Sequence, residues 1–159
     1  MQKGKAVEGE IVAPAGARIA IVATRWNPDL TDRLLEGAIL ALEKGGVSER
    51  AVEVFRAPGS FEIPIICQAL AKKNKFNAIV AVGALLDGET DHYTWVAQAL
   101  VQGLVRVSQD FDIPITFGLI TGGDLDAALE RAGGKAGNKG EEAALAAIEA
   151  ISLIARIRE

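Results

Sequence analysis

The chain has 159 residues, half of them hydrophobic, and a formal net charge of −4. This length fits one domain with an ordinary core, and the apolar fraction excludes global disorder. The acidic balance gives no electrostatic case for nucleic acid or an anionic membrane, and a single cysteine with a single histidine excludes a disulfide framework and any Cys- or multi-His metal site.

The N-terminus, MQKGKAVEGE, has no signal-like apolar run, and no stretch is long enough to span a bilayer. A cytoplasmic protein is expected. Residues 1–16 carry Val7, Ile11 and Val12 but also Pro14, and belong to no strand–helix unit. They are either a frayed tail or a strand added to a neighbouring subunit. The second is favoured, because Ile11 and Val12 otherwise lack a partner surface. One domain, 17–159, remains.

Arg18 to Thr24 is an apolar, β-branched run of the kind buried in parallel sheets. Asn27-Pro28 then reads as an N-cap followed by proline in the first turn. Leu30, Leu34, Leu35, Ala38, Ile39 and Leu42 recur at helical spacing until Gly45-Gly46. The alternation continues with a strand over Ala51–Arg56 and a helix over Phe61–Lys73. In that helix Cys67, among Ile63, Ile65, Ile66 and Leu70, reads as a small buried apolar residue. A strand over Ala78–Leu86 and a long helix over Thr90–Gln109 follow, the latter carrying Ala97, Ala99 and Gly103 for close packing against a neighbour. Next come a strand over Pro114–Ile120, a short helix over Asp124–Ala132, a glycine-rich loop over Gly133–Lys139 and a closing helix over Glu141–Arg158. Strands alternating with helices imply a parallel sheet covered on both faces, a three-layer α/β/α sandwich of four strands.

Ligands of open parallel sheets bind beyond the carboxyl ends of the strands. That rule selects residues 25–27, 57–62, 87–92 and 121–124. Trp26 offers a flat face for stacking on a heteroaromatic ring, or is a packing aromatic. Ser60 reads as a helix N-cap, with Glu62 in the first turn, and the free amides and carboxylate there suit a polyol or a uracil edge. Gly88, Glu89 and Thr90 stand at a helix start, where unpaired N–H groups favour an anion. His92 on the same edge is a candidate proton carrier, or a surface histidine. Arg131, Lys135 and Lys139 put cations near the glycine-rich loop, either opposite a bound phosphate or simply solvated.

TRWN (24–27), APGSFEIP (57–64), GALLDGETDHYTWV (83–96), ITFGLIT (115–121) and ERAGGKAGNKGEEAA (130–144) together resemble the lumazine synthase family over nearly the whole chain from Arg18. PGSFEIP and KAGNKG are specific as a pair. The resemblance implies a flavodoxin-like sheet and the joining of 5-amino-6-(D-ribitylamino)uracil to 3,4-dihydroxy-2-butanone 4-phosphate. An imine forms, phosphate leaves, and ring closure with loss of water gives 6,7-dimethyl-8-ribityllumazine. No metal or organic cofactor is implied.

The resemblance also implies roles. Trp26 stacks on the pyrimidine; Ser60, Phe61 and Glu62 hold the ribityl chain and ring edge, with Ala84, Leu85 and Leu86 beside them and Asn27 and Gly59 in support. Gly88, Glu89 and Thr90 bind the phosphate, with Arg131 as its cation and Lys135 and Lys139 in the adjoining cationic loop. His92 moves protons, and Phe117 comes from the neighbouring subunit's wall. Homopentamers are implied, assembled in some members into hollow sixty-subunit shells.

This chain departs from the pattern at several positions. Asp87 stands where family members usually carry Arg, which places a carboxylate facing an incoming phosphate. Asp91 adds an acid beside His92, Gly122-Gly123 replaces a more polar segment, Trp95 stands where Tyr is commoner, and Trp26 replaces the usual Phe. Two alternatives therefore stay beside the transferase: a shell-forming scaffold with weakened catalysis, and a binding module that holds a flavin or pyrimidine without turnover.

Overall fold

The computed structural model describes residues 4–159. β1 (Ile19–Thr24) leads into α1 (Pro28–Lys44). β2 (Val52–Ala57), α2 (Ile63–Lys72), β3 (Ala78–Leu85) and α3 (His92–Asp110) follow. After β4 (Ile115–Thr121) come the short α4 (Leu125–Glu130), a two-stranded ribbon of β5 (Ala132–Gly134) and β6 (Gly137–Asn138), and α5 (Lys139–Ile157). β1–β4 form one parallel sheet in the order β2-β1-β3-β4.

That order dictates where the helices go. Right-handed crossovers put a helix on one face when the chain steps one way along the sheet and on the other face when it steps back. The step from β1 to β2 carries α1 onto one face, where α5 joins it. The steps from β2 to β3 and from β3 to β4 carry α2 and α3 onto the other. Two separate cores result. On one face Ile19, Ile21, Val80 and Val82 pack under Leu30, Leu34, Ala144 and Ile148. On the other Val22, Ile79 and Ala81 pack under Ile63, Cys67, Leu100 and Leu104. Each large side chain fully buried in this way, Ile19 or Leu100 for instance, contributes about 1.5–3 kcal/mol of transfer free energy. Burial also pushes the Cys67 thiol up to about 12, so it stays protonated and serves as a core residue.

Several boundaries differ from the sequence expectation, each for a local reason. Asn27 occupies the N-cap position of α1 but is left-handed (φ 52°), and its side chain makes no cap hydrogen bond. Its carbonyl instead accepts from the N–H groups of Leu30 and Thr31. Ser60 is likewise no side-chain cap. It begins a 3-10 turn, Ser60–Glu62, and α2 starts only at Ile63, with Pro64 in its first turn. Ala51 belongs to a 3-10 turn before β2. α3 starts at His92, so Gly88–Thr90 precede the helix and do not form its first turn.

The glycine-rich stretch is no open loop. Ala132 pairs with Asn138 and Gly134 with Gly137, with Gly133 (φ 100°) and Gly137 (φ 82°) supplying the left-handed turns that the ribbon requires. The Asn138 side chain then accepts from the N–H groups of Gly140 and Glu141 and caps α5, which draws the helix start back to Lys139. Gly103 of α3 faces Pro64 of α2 within the chain: a Cβ there would sit 2.7 Å from the proline Cβ, so this glycine serves the chain's own core.

Residues 1–3 of the N-terminal segment lie outside the described residues. From Glu8 onward the segment runs across α5 and the end of α1, and residues 4–16 include no strand. The Arg156 guanidinium donates to the Glu8 carbonyl at 2.6 Å, Glu10 N–H to Ser152 Oγ at 3.0 Å, and Ala13 N–H to the Gly45 carbonyl at 2.7 Å. Val7, Ile11 and Val12 remain exposed.

α1 and α5 approach closely where Gly140 lies against the backbone of α1. A Cβ at Gly140 would overlap the Leu34 carbonyl. Gly140→Ala is therefore expected to lower stability by about 1–3 kcal/mol, the range for overpacking, seen as a fall in the denaturant midpoint without a change in slope. Gly88→Ala, where nothing lies within 4 Å, should leave the midpoint in place. An unmoved midpoint in Gly140→Ala would mean that the helices separate at no cost.

Candidate functional site

The sheet reverses between β1 and β3, so α1 and α3 leave their carboxyl ends on opposite faces and a crevice opens between them. A cavity of about 720 Å³ lies there. It is lined by Trp26 and Asn27 after β1, Gly59, Ser60, Phe61 and Glu62 after β2, Ala84, Leu85 and Leu86 at the end of β3, and His92, Trp95 and Val96 on α3. Three connections separated by up to seventy positions thus meet in one concave surface.

Trp26 is held by its backbone. The buried Thr31 hydroxyl donates to the Trp26 carbonyl at 2.9 Å and lies 3.4 Å from the Thr24 hydroxyl, which pins the turn between β1 and α1. Arg56 on β2 donates to Asp32 at 2.7 Å and to the Thr24 carbonyl at 3.4 Å, closing the same turn from the side. The indole itself is 69 % exposed, and Phe61 and Trp95 are 65 % and 70 % exposed. Large rings left in water around one cavity are free to stack on a ligand.

Gly59 lets this wall close. A Cβ at that position would stand 3.2 Å from Glu62 Oε2 and 3.6 Å from two atoms of the Trp26 indole. The carboxylate and the indole therefore converge over the same bare backbone, one offering an acceptor and the other a flat face. Ser60 is buried beside them. His92, the first residue of α3, is exposed at the far side, its N–H 3.4 Å from Thr90 Oγ1.

Other expected site residues do not line this cavity. Gly88, Glu89 and Thr90 form an exposed loop next to it. Arg131 lies at the end of α4, its guanidinium beside the turn at Gly123. Lys135 is exposed at the tip of the β5–β6 ribbon. Lys139 is no loop cation: it opens α5, and its ammonium pairs with Glu142 at 2.8 Å. Phe117, on the edge strand β4, is 40 % exposed in a separate depression of about 330 Å³ with Val101, Val105 and Ile115.

Asp87 also differs from expectation. Its carboxylate does not stand free before a phosphate loop but accepts from the Gly123 N–H at 3.0 Å, across the ends of β3 and β4. Trp95 was visible only as a departure from a pattern, yet it lines the cavity. Its spacing of three from His92 on one helix was the available signal, because such residues share a face. No group of three or more His, Cys, Asp or Glu able to hold a metal ion occurs among the described residues, and no helix there is long and apolar enough to cross a membrane.

Residues 16–155 match the family model of 6,7-dimethyl-8-ribityllumazine synthase. The chain belongs to this family, whose members are transferases of riboflavin biosynthesis, generally oligomeric and acting on small substrates.

The two cavity tryptophans make ligand entry measurable. With Trp95→Phe as background, a flat heteroaromatic ligand such as riboflavin is expected to quench Trp26 emission. Trp26→Ala should lose about 1–3 kcal/mol of affinity for such a ring, as base–aromatic stacking does. Equal affinity with and without the indole would make Trp26 a bystander at the cavity mouth.

Proposed function

We propose that the protein condenses 5-amino-6-(D-ribitylamino)uracil with 3,4-dihydroxy-2-butanone 4-phosphate to 6,7-dimethyl-8-ribityllumazine, releasing phosphate. The observation that carries this reading is the meeting of Trp26, Gly59–Glu62, Ala84–Leu86 and His92 around one cavity at the reversal point of the sheet. Family membership agrees with it.

In this reading the pyrimidine lies on the Trp26 indole, and the Glu62 carboxylate and nearby amides receive its polar edge and ribityl hydroxyls. The amine of the pyrimidine attacks the ketone carbonyl, and loss of water leaves an imine. Phosphate is then eliminated, and the enol left behind takes up a proton to become a carbonyl. Attack of the ribityl-bearing nitrogen on that new carbonyl closes the ring with loss of a second water. His92, on the α3 side, carries protons between these steps. Ordering two substrates against each other supplies much of the rate. The phosphate sits over Gly88–Thr90 with Arg131 as its cation, and no metal or organic cofactor takes part.

The site is completed by a second subunit. Phe117 lies apart from the chain's own cavity with exposed Val101 and Val105 around it, which suits a wall donated to a neighbour in a pentamer. The exposed Val7, Ile11 and Val12 suit a strand added to a neighbouring sheet, and closure of pentamers into a sixty-subunit shell is the further assembly proposed. The reaction takes place in the cytoplasm.

Mixing both substrates with the protein and following lumazine absorbance tests the reading directly, alongside particle mass by light scattering. Product and a mass of at least five chains are expected. A monodisperse monomer, or an assembly without turnover, would remove it. Arg131→Ala should raise the apparent KM of the ketone phosphate by roughly tenfold or more, the weight of a charge-assisted hydrogen bond, while that of the pyrimidine stays put. An equal effect on both substrates would assign Arg131 to folding or assembly.

A further inference from the structure

β3 and β4 are tied together just beyond their carboxyl ends. Gly122 N–H donates to the Leu85 carbonyl at 2.9 Å, and the next N–H, that of Gly123, donates to the Asp87 carboxylate at 3.0 Å. Gly122 and Gly123 are both left-handed, with φ of 76° and 78°. Two adjacent glycines in that region lose much conformational freedom on folding, so the turn needs an anchor to stay in one shape. Asp124 then accepts from the Ala127 N–H at 2.8 Å and starts α4, which ends at Arg131.

Arg131 returns to the same turn. Its Nη2 lies 3.5 Å from where a Cβ of Gly123 would stand, so the guanidinium rests over the bare α-carbon of the residue that Asp87 holds. Tyr93, the neighbour of His92 on α3, also reaches the turn: a Cβ at Gly122 would stand 3.3 Å from its hydroxyl. Asp87 and Arg131 form no ion pair among the described residues. Both side chains meet the turn at Gly123, Asp87 through its N–H and Arg131 beside its α-carbon.

We propose that Asp87 is a positioning residue, which locks the Gly122–Gly123 turn through the Gly123 N–H and thereby fixes Arg131 where the substrate's phosphate is bound. This rests on the transferase reading above. The carboxylate has two opposing influences. Its charge opposes a phosphate dianion, but it is exposed and screened by solvent and salt. Its hydrogen bond fixes backbone, and that influence is short-ranged and directional.

Two substitutions separate them. Asp87→Ala removes both charge and acceptor, whereas Asp87→Asn removes the charge and keeps a carbonyl oxygen able to accept from Gly123. Asp87→Ala is expected to raise the KM of the ketone phosphate roughly tenfold, the weight of a lost hydrogen bond to a charged group, and to leave the KM of the pyrimidine in place. Asp87→Asn should recover most of that loss, because its neutral carbonyl keeps a weaker form of the same bond. Amide exchange at Gly123 should quicken in Asp87→Ala and return towards the parent rate in Asp87→Asn, and affinity for inorganic phosphate should follow the same order. A lower KM in both variants would show that charge dominates and would overturn the proposal. So would an Asp87→Asn protein as impaired as Asp87→Ala, or equal changes in both KM values. If the parent protein forms no lumazine, the transferase reading fails on its own, and Gly123 exchange with inorganic phosphate affinity still decides the role of Asp87.

Discussion

The handedness of crossover connections governs what the rest of this structure can do. With β1 second in the sheet, the chain must first step outward to β2 and then return past β1 to β3 and β4. Each step sends its helix to a face set by its direction, so α1 and α3 leave neighbouring strands on opposite sides. The gap they leave is not filled by any element of the sandwich. Every connection after β1, β2 and β3 opens into that gap, and chemistry can gather there without disturbing either core.

Close approach of backbones makes the arrangement tight enough to position side chains. Gly140 lets α5 lie against α1, Gly103 lets α3 lie against Pro64 of α2, and Gly59 lets the Glu62 carboxylate and the Trp26 indole share one patch of backbone. With so few aromatics in the chain, the rings at the cavity are not drawn from a surplus. Trp26, Phe61 and Trp95 stand largely in water while the cores are filled by Ile, Leu, Val and Ala. Exposure of such side chains costs stability, and a ligand or neighbouring subunit that covers them recovers it.

Polar contacts in the molecule divide by purpose. At the amino end of the sheet Glu53 pairs with Lys75 and Arg18, and these cations hold its carboxyl below the usual carboxylate range. At the carboxyl end the hydrogen bonds fix turns: Thr31 to the Trp26 carbonyl, Asp124 to Ala127, and Asp87 to Gly123. Each of these three lies within a few residues of a group in or beside the cavity.

The order and kind of the main elements were legible because they follow from local pattern. The apolar runs at Arg18–Thr24 and Ala78–Leu86, the helical spacing from Leu30 to Leu42 and the stop at Gly45-Gly46 need no distant partner to be read. The strand-end rule selected four connections, three of which contribute to the cavity lining, and the motifs around PGSFEIP and KAGNKG led to the family. What stayed hidden depended on partners far along the chain. Asp87 reads from sequence as a charge facing phosphate, and only the pairing of β3 with β4 brings Gly123 thirty-six positions away within hydrogen-bonding distance. The stretch from Gly133 reads as loop because glycine favours neither helix nor strand, yet left-handed turns at Gly133 and Gly137 fold it into a ribbon that ends on the Asn138 cap. Gly103 reads as a contact for a neighbour until α2 is seen beside it. Local sequence sets φ, ψ preference and periodicity. Which side of a glycine or an aspartate is used is set by what the sheet order brings against it.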